Sequence, residues 1–262
     1  MVDNTPTIFS SVIDQIKKNK LSPSEVHEIA ETHERNYLLV QQLFRYADDL
    51  NRNISELRNL NRELKEAYID TLHRLAVAIE YRDSETGDHI QRMGQYCTVI
   101  ARGCGFSDNI IQNLRYAAPM HDIGKIGIPD HILLKPGKLT AKEFEIMKTH
   151  TTIGANILAD SKAEVLQVAQ KIALSHHEKW NGKGYPQGLS KDKIPLEGRI
   201  VGLIDVFDSL ISKRPYKDVY PIDVALDIIH KEKEEHFDPE LVEIFFDNID
   251  EIISIKGKDD CR

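Results

Sequence analysis

At 262 residues, 41% hydrophobic and 29% charged, the chain has enough apolar material for one large domain or two modest ones. A formal net charge of −8 excludes a general polyanion binder, so no nucleic-acid polymer is expected as a partner. Cys97, Cys104 and Cys261 lack metal-like pairing, there is no basic-then-apolar leader, and no apolar run approaches the roughly 18 residues of a membrane span; the expectation is a cytoplasmic protein without membrane contact.

A short helix is predicted from about Ile8 to Lys20. Ser22-Pro23-Ser24-Glu25 then has the form of a helix start, with serine as cap, proline in the first turn and glutamate three residues after the serine. From there to Tyr81 the chain contains neither proline nor glycine. Leu43, Leu50, Leu57 and Leu64 recur every seven residues, and Val40, Ala47, Ile54, Asn61 and Tyr68 fill the other seam position. This spacing predicts a coiled coil over residues 40–71, and one seam asparagine suits a parallel homodimer in fixed register. The competing reading is an amphipathic helix packed on its own domain.

From about residue 70 the pattern widens through Leu72, Leu75, Ala76, Ala78 and Ile79, as expected where a helix enters a globular core. Asp83-Ser84-Glu85 offers a new cap for a helix carrying Ile90, Met93, Cys97 and Ile100, ending near Gly103 or Gly105. Further helices are predicted over Asp108–His121, Thr140–His150, Gly154–Ala159, Ala163–His177, Leu196–Ser212, Ile222–Glu235 and Pro239–Ile253, with a turn-rich loop from Trp180 to Pro195. Alternating strand patterns are absent, so the fold class is all-α. The expected organisation is an N-terminal helical and dimerising region, 1–69, followed by a catalytic helical bundle, 70–262.

Several polar residues sit in or beside these apolar helices. Glu85 and His89 are four apart and share a helix face. His121-Asp122, His150 and His176-His177 end three predicted helices, and Asp205 interrupts the apolar run Ile200–Phe207. A buried aspartate requires a cationic partner. Five histidines and three carboxylates without thiolate suit a polynuclear site of Fe, Mn or Zn. Taken singly, each has a plainer reading as a helix cap or an ion pair.

The ordered motifs give more. His121-Asp122-Ile123-Gly124-Lys125 resembles the HDxGK motif, and His176-His177-Glu178 through Gly184-Tyr185-Pro186 resembles the HHExxxGxGYP motif, of the HD-GYP branch of the HD phosphohydrolases. Ile194–Ile200, Asp205-Val206-Phe207-Asp208 and Arg214-Pro215-Tyr216-Lys217 continue the likeness, which covers about Leu72 to Phe246. The resemblance implies an HD-type bundle that hydrolyses cyclic di-GMP to pGpG or GMP by a metal-bridged hydroxide. It implies His121, Asp122, His150, His176, His177 and Asp205 as metal ligands, with Asp122 bridging, and Glu85 and His89 as ligands of a third ion, so two or three Fe or Mn ions per chain. Lys125 is implied at the scissile phosphate, joining Asp122 as a catalytic residue. Tyr185, Arg214 and Lys217 are implied as substrate contacts, with Asp83 and Asp208 in the same pocket. Another cyclic dinucleotide such as cyclic GMP-AMP, or a non-hydrolysing sensor, are the alternatives.

Overall fold

The computed structural model describes residues 5–18, 21–82, 88–212 and 219–259. Asp83, Glu85, Arg214, Lys217 and Cys261, together with the expected helix cap at 83–85, lie outside them. Helix α1 spans Thr5–Lys17, a turn earlier than its predicted start, and α2 runs from Pro23 to Arg82. The start of α2 is built as expected: the Ser22 backbone N–H donates to Glu25 Oε2 at 2.7 Å, and the Glu25 N–H donates to Ser22 Oγ.

Backbone contacts divide the chain into two units, Met1–Glu66 and Ala67–Arg262. In the first, the heptad leucines Leu43, Leu50, Leu57 and Leu64 are all exposed. No helix among the described residues is long and apolar enough to cross a membrane.

The second unit is a helical bundle, and the described residues contain no β-strand. Its helices are α3 (Asp88–Gly103), α4 (Asp108–Ala117), α5 (Asp130–Leu133), α6 (Ala141–Lys148), α7 (His150–Ile157), α8 (Glu164–Ser175), α9 (Leu196–Ile211), α10 (Ile222–Lys231), α11 (Pro239–Asp247) and α12 (Ile249–Asp259). One apolar cluster joins α3, α4, α8, α9 and α11 through Met93, Tyr96, Leu114, Ile172, Leu203, Phe207 and Phe245, all at most 1% exposed. Tyr96 meets Phe207 edge-on at 6.0 Å, and Phe207 meets Phe245 at 4.9 Å.

Several helix boundaries in this unit differ from expectation; α10, for one, ends at Lys231 rather than Glu235. α4 stops at Ala117, because Pro119 forces the chain into a 3-10 turn over Ala118–Met120. His150 opens α7 rather than ending α6; the chain breaks at Thr149, whose Oγ1 donates to Ile146 O at 2.6 Å. The last predicted helix is two, separated at Asn248, whose Nδ2 donates to Ile244 O at 2.8 Å.

Candidate metal centre

Pro119 ends α4 just before the His121-Asp122 pair, and a second 3-10 turn, Ile123–Gly127, follows it. α7 docks on that turn so closely that a Cβ on Gly124 would stand 1.8 Å from His150 O and 2.4 Å from Gly154 N. Only a glycine admits α7, and α7 begins with His150. A similar close approach holds α9 against the end of α8: a Cβ on Gly202 would lie 2.6 Å from His176 O. Asp205 follows less than one turn later, on the same side of α9.

These approaches gather two groups of donor atoms, Asp122 with His150, His176 and His177, and His89 with His121 and Asp205, each within 4.8 Å. Asp122 faces both. Its Oδ1 lies 3.3 Å from His150 Nε2 and 3.6 Å from His176 Nε2. Its Oδ2 lies 3.3 Å from His121 Nε2 and 2.8 Å from Lys125 Nζ. His121 Nε2 in turn is 3.8 Å from Asp205 Oδ1.

The outward nitrogens explain why the inward ones converge. His121 Nδ1 is 2.9 Å from Ala118 O, His150 Nδ1 is 2.8 Å from Met147 O, and His176 Nδ1 is 3.0 Å from Ile172 O. A ring donating from Nδ1 to a carbonyl presents the Nε2 lone pair on its opposite side. His89 Nδ1 meets Asp208 Oδ2 at 2.7 Å instead, with the same result.

The centre suits a divalent cation. His121 Nε2 and Asp122 Oδ1 are buried without a hydrogen-bond partner, which is costly unless something else satisfies them. Nitrogen and oxygen donors without thiolate belong to Mn, Fe or Zn chemistry. Burial lowers His150 to about 4, so its ring is neutral and can coordinate. Burial also opposes charge on His121, but Asp122 and Asp205 overcome it and raise this ring to about 9. Burial works against ionisation of Asp122, yet the charges of Lys125 and His121 hold its carboxyl well below the usual range.

Of the eight ligands implied from sequence, the structure brings seven together, and Glu85 is the one outside the described residues. Tyr185 lies half-buried against His177, with ring centroids 4.7 Å apart at 30°. Its loop is pinned by Glu178, which accepts from Gln187 N at 2.7 Å and Leu189 N at 2.9 Å. A cleft of about 200 Å³ opens beside Tyr185, bounded also by Glu145, Lys148, Thr149 and Thr152. Asp208 departs from its expected place in the substrate pocket. It is 1% exposed, and Arg92 grips it from Nε at 2.7 Å and Nη2 at 2.8 Å, so its oxygens serve Arg92, His89 and the Ser212 hydroxyl. Burial opposes its charge, but these partners hold its carboxyl far down the acid range.

Two contributors escaped sequence reasoning. Glu80, 7% exposed, places Oε1 3.7 Å from His89 Nε2. Arg82 caps the turn that carries Lys125, donating to Lys125 O at 3.0 Å, Ile126 O at 2.9 Å and Ile128 O at 2.8 Å. A charge closing an apolar run, the signal that picks out Asp205, marks Glu80 after Ala76-Val77-Ala78-Ile79 as well.

A family model described as HD domain matches residues 74–241. A cyclic di-GMP phosphodiesterase of Thermotoga maritima is 48% identical over 183 residues, 70% of this chain and 50% of that protein. A 3'3'-cGAMP-specific phosphodiesterase of Vibrio cholerae is 44% identical over 199 residues, 76% of this chain and 38% of that one. The chain thus spans half or less of the length of these curated relatives. The crystal structure of a cyclic GMP-AMP specific phosphodiesterase from V. cholerae superposes with a TM-score of 0.51 at 21% identity, over 71% of this chain and 50% of that one. At that identity the likeness speaks for the helical fold alone.

Proposed function

Because this chain belongs to the HD domain family, we propose that it is a metal-dependent phosphodiesterase that hydrolyses cyclic di-GMP to pGpG, GMP or both. The observation that carries this reading is Asp122, which turns one oxygen to each donor group. His121, Asp122, His150, His176, His177 and Asp205 are the proposed ligands, with His89 and Glu85 extending the set, for two or three ions of Fe or Mn. When bound, such ions supply Lewis-acid charge and an activated water at neutral pH.

The chain's own residues do the rest. Lys125, side chain 16% exposed and now paired with Asp122, is the cation placed to meet a phosphoryl oxygen and offset charge gained in the transition state. Tyr185 keeps His177 covered and offers an aromatic edge to a guanine entering the cleft beside Lys148. Arg214 and Lys217 complete the proposed phosphate contacts, and Asp83 the proposed pocket wall. In this reading the substrate lies between Lys125 and the half-buried Tyr185 ring, oriented before reaction.

The proposed domains are a dimerising and input region, 1–69, and a catalytic domain, 70–262. The exposed leucine stripe supports a homodimeric coiled coil over 40–71. Free thiols at Cys97 and Cys104 support action in the reducing cytoplasm.

The test is chromatographic. Anaerobically Mn- or Fe-loaded protein should convert cyclic di-GMP to linear products, and Asp122→Ala should not; no turnover with either metal sinks the proposal. A second reading, hydrolysis of cyclic GMP-AMP, draws on the relative of that specificity at 44% identity. Competition between the two dinucleotides decides it.

A further inference from the structure

The last turns of α2 deliver a carboxylate to the His89 side of the centre. Glu80 Oε1 stands 3.7 Å from His89 Nε2, and Asp205 Oδ1 stands 3.8 Å from the same nitrogen. Asp208 holds the other face of the ring at 2.7 Å, itself fixed by Arg92, so Nε2 is turned toward the two carboxylates. Glu80 is 7% exposed and His89 4%, whereas charged residues elsewhere on α2, such as Arg52 and Asp70, are solvated. A carboxylate this deep is kept where a cation offsets its desolvation. Both carboxylates stand beyond hydrogen-bond length from Nε2, at separations suited to donors that share one ion.

We propose that Glu80 is a metal ligand, closing a site for a first-row divalent cation with His89 and Asp205, next to the site organised by Asp122. Two carboxylate oxygens and one imidazole form a donor set suited to Mn²⁺ or Fe²⁺ and poor for the soft cations that need thiolate. Glu80 lies two residues before the end of α2 at Arg82, and His89 lies on α3, so α2 itself sets the position of Glu80. The ion would then tie the end of α2 to α3 and α9. The inference rests on the reading of the centre as metallic.

The experiment uses the full chain stripped by chelation, reloaded with Mn²⁺ alone, desalted and counted by elemental analysis. Glu80→Gln should hold one Mn²⁺ per chain fewer than native protein, and Glu80→Asp, which restores a carboxylate, should recover the count. An unchanged count in Glu80→Gln overturns the inference. Anomalous diffraction from native crystals soaked in Mn²⁺ decides independently of how the variants fold. A peak within coordinating distance of Glu80, His89 and Asp205 is expected. Peaks around Asp122 alone would remove Glu80 from the ligand set while leaving the metal-dependent reading intact. Native protein that binds no Mn²⁺ would sink both.

Discussion

The sharpest test of the site's construction is Gly124→Ala. The added Cβ would lie 1.8 Å from His150 O, 2.4 Å from Gly154 N and 2.8 Å from His150 C, all backbone atoms of α7. None is the end of a flexible side chain, so the helix itself must retreat. Reaching ordinary contact at 3.4 Å requires a movement of about 1.6 Å at His150 O. The Asp122–His150 pair now spans 3.3 Å, and metal sites tolerate only about ±0.2 Å in ligand distance. The overpacking should cost about 1–3 kcal/mol, a Tm drop of roughly 2–12 °C in a unit of this size. Activity should fall about 100-fold or more, because a misplacement near 1 Å costs that much. Calorimetry, metal content and turnover should be measured together, with Gly127→Ala as control. There the nearest atom is Ile153 Cδ1 at 3.0 Å, a side-chain end that can yield. A Gly124→Ala protein with native Tm and native metal content would refute the claim that this close approach sets the centre.

Lys125→Ala should lower kcat about 10²–10³-fold with metal content unchanged, as expected for loss of one charge-stabilising donor; steady-state kinetics beside elemental analysis separates this from loss of metal. Arg82→Ala removes the hydrogen bonds that hold the Lys125 turn and should lower kcat more than it raises KM, at a stability cost of about 2 kcal/mol. Leu50→Lys with Leu57→Lys should turn a dimer into a monomer by light scattering at micromolar concentration, since both leucines occupy the seam. His236, lowered to about 4 by burial and then by the charge of Lys179, should bind its proton in the unfolded state before the folded one as pH falls. Its contribution to stability is therefore complete above pH 6.5 and lost as pH drops toward 4, by about 2–3 kcal/mol. His236→Gln should flatten that limb in denaturant titrations, with the native-minus-variant difference removing the part that His150 shares.

The local signals were legible where the chemistry is local. Thr140 and Glu143 form the capping box that their spacing predicts, with Thr140 N donating to Glu143 Oε2 at 2.7 Å. Pro23 and the glycine-free run after it give the long α2. The break between α6 and α7 was not legible, because Thr149 keeps helical angles, φ −66° and ψ −14°, and nothing in Lys148-Thr149-His150 forbids continuation. The break is made by α7 turning to dock on Gly124, a contact between residues 26 apart in sequence.

Asp208 shows the deeper limit. Both it and Asp205 lie on α9, three residues apart and so on neighbouring positions of one face. A shared face does not mean a shared environment, because α9 packs against α3. Asp205 meets the ligand nitrogens of His89 and His121, whereas Asp208 meets the back of His89 and the Arg92 fork. Which carboxylate faces the centre and which aims a histidine at it is decided by where α3 crosses α9. The same crossing allows one imidazole to connect Asp208, on its outer nitrogen, with Glu80 and Asp205 on its inner one. Deleting Asp208 should therefore disturb the His89 side of the centre first, while the group around His150, His176 and His177, whose outer contacts are backbone carbonyls or the Tyr185 ring, keeps its geometry.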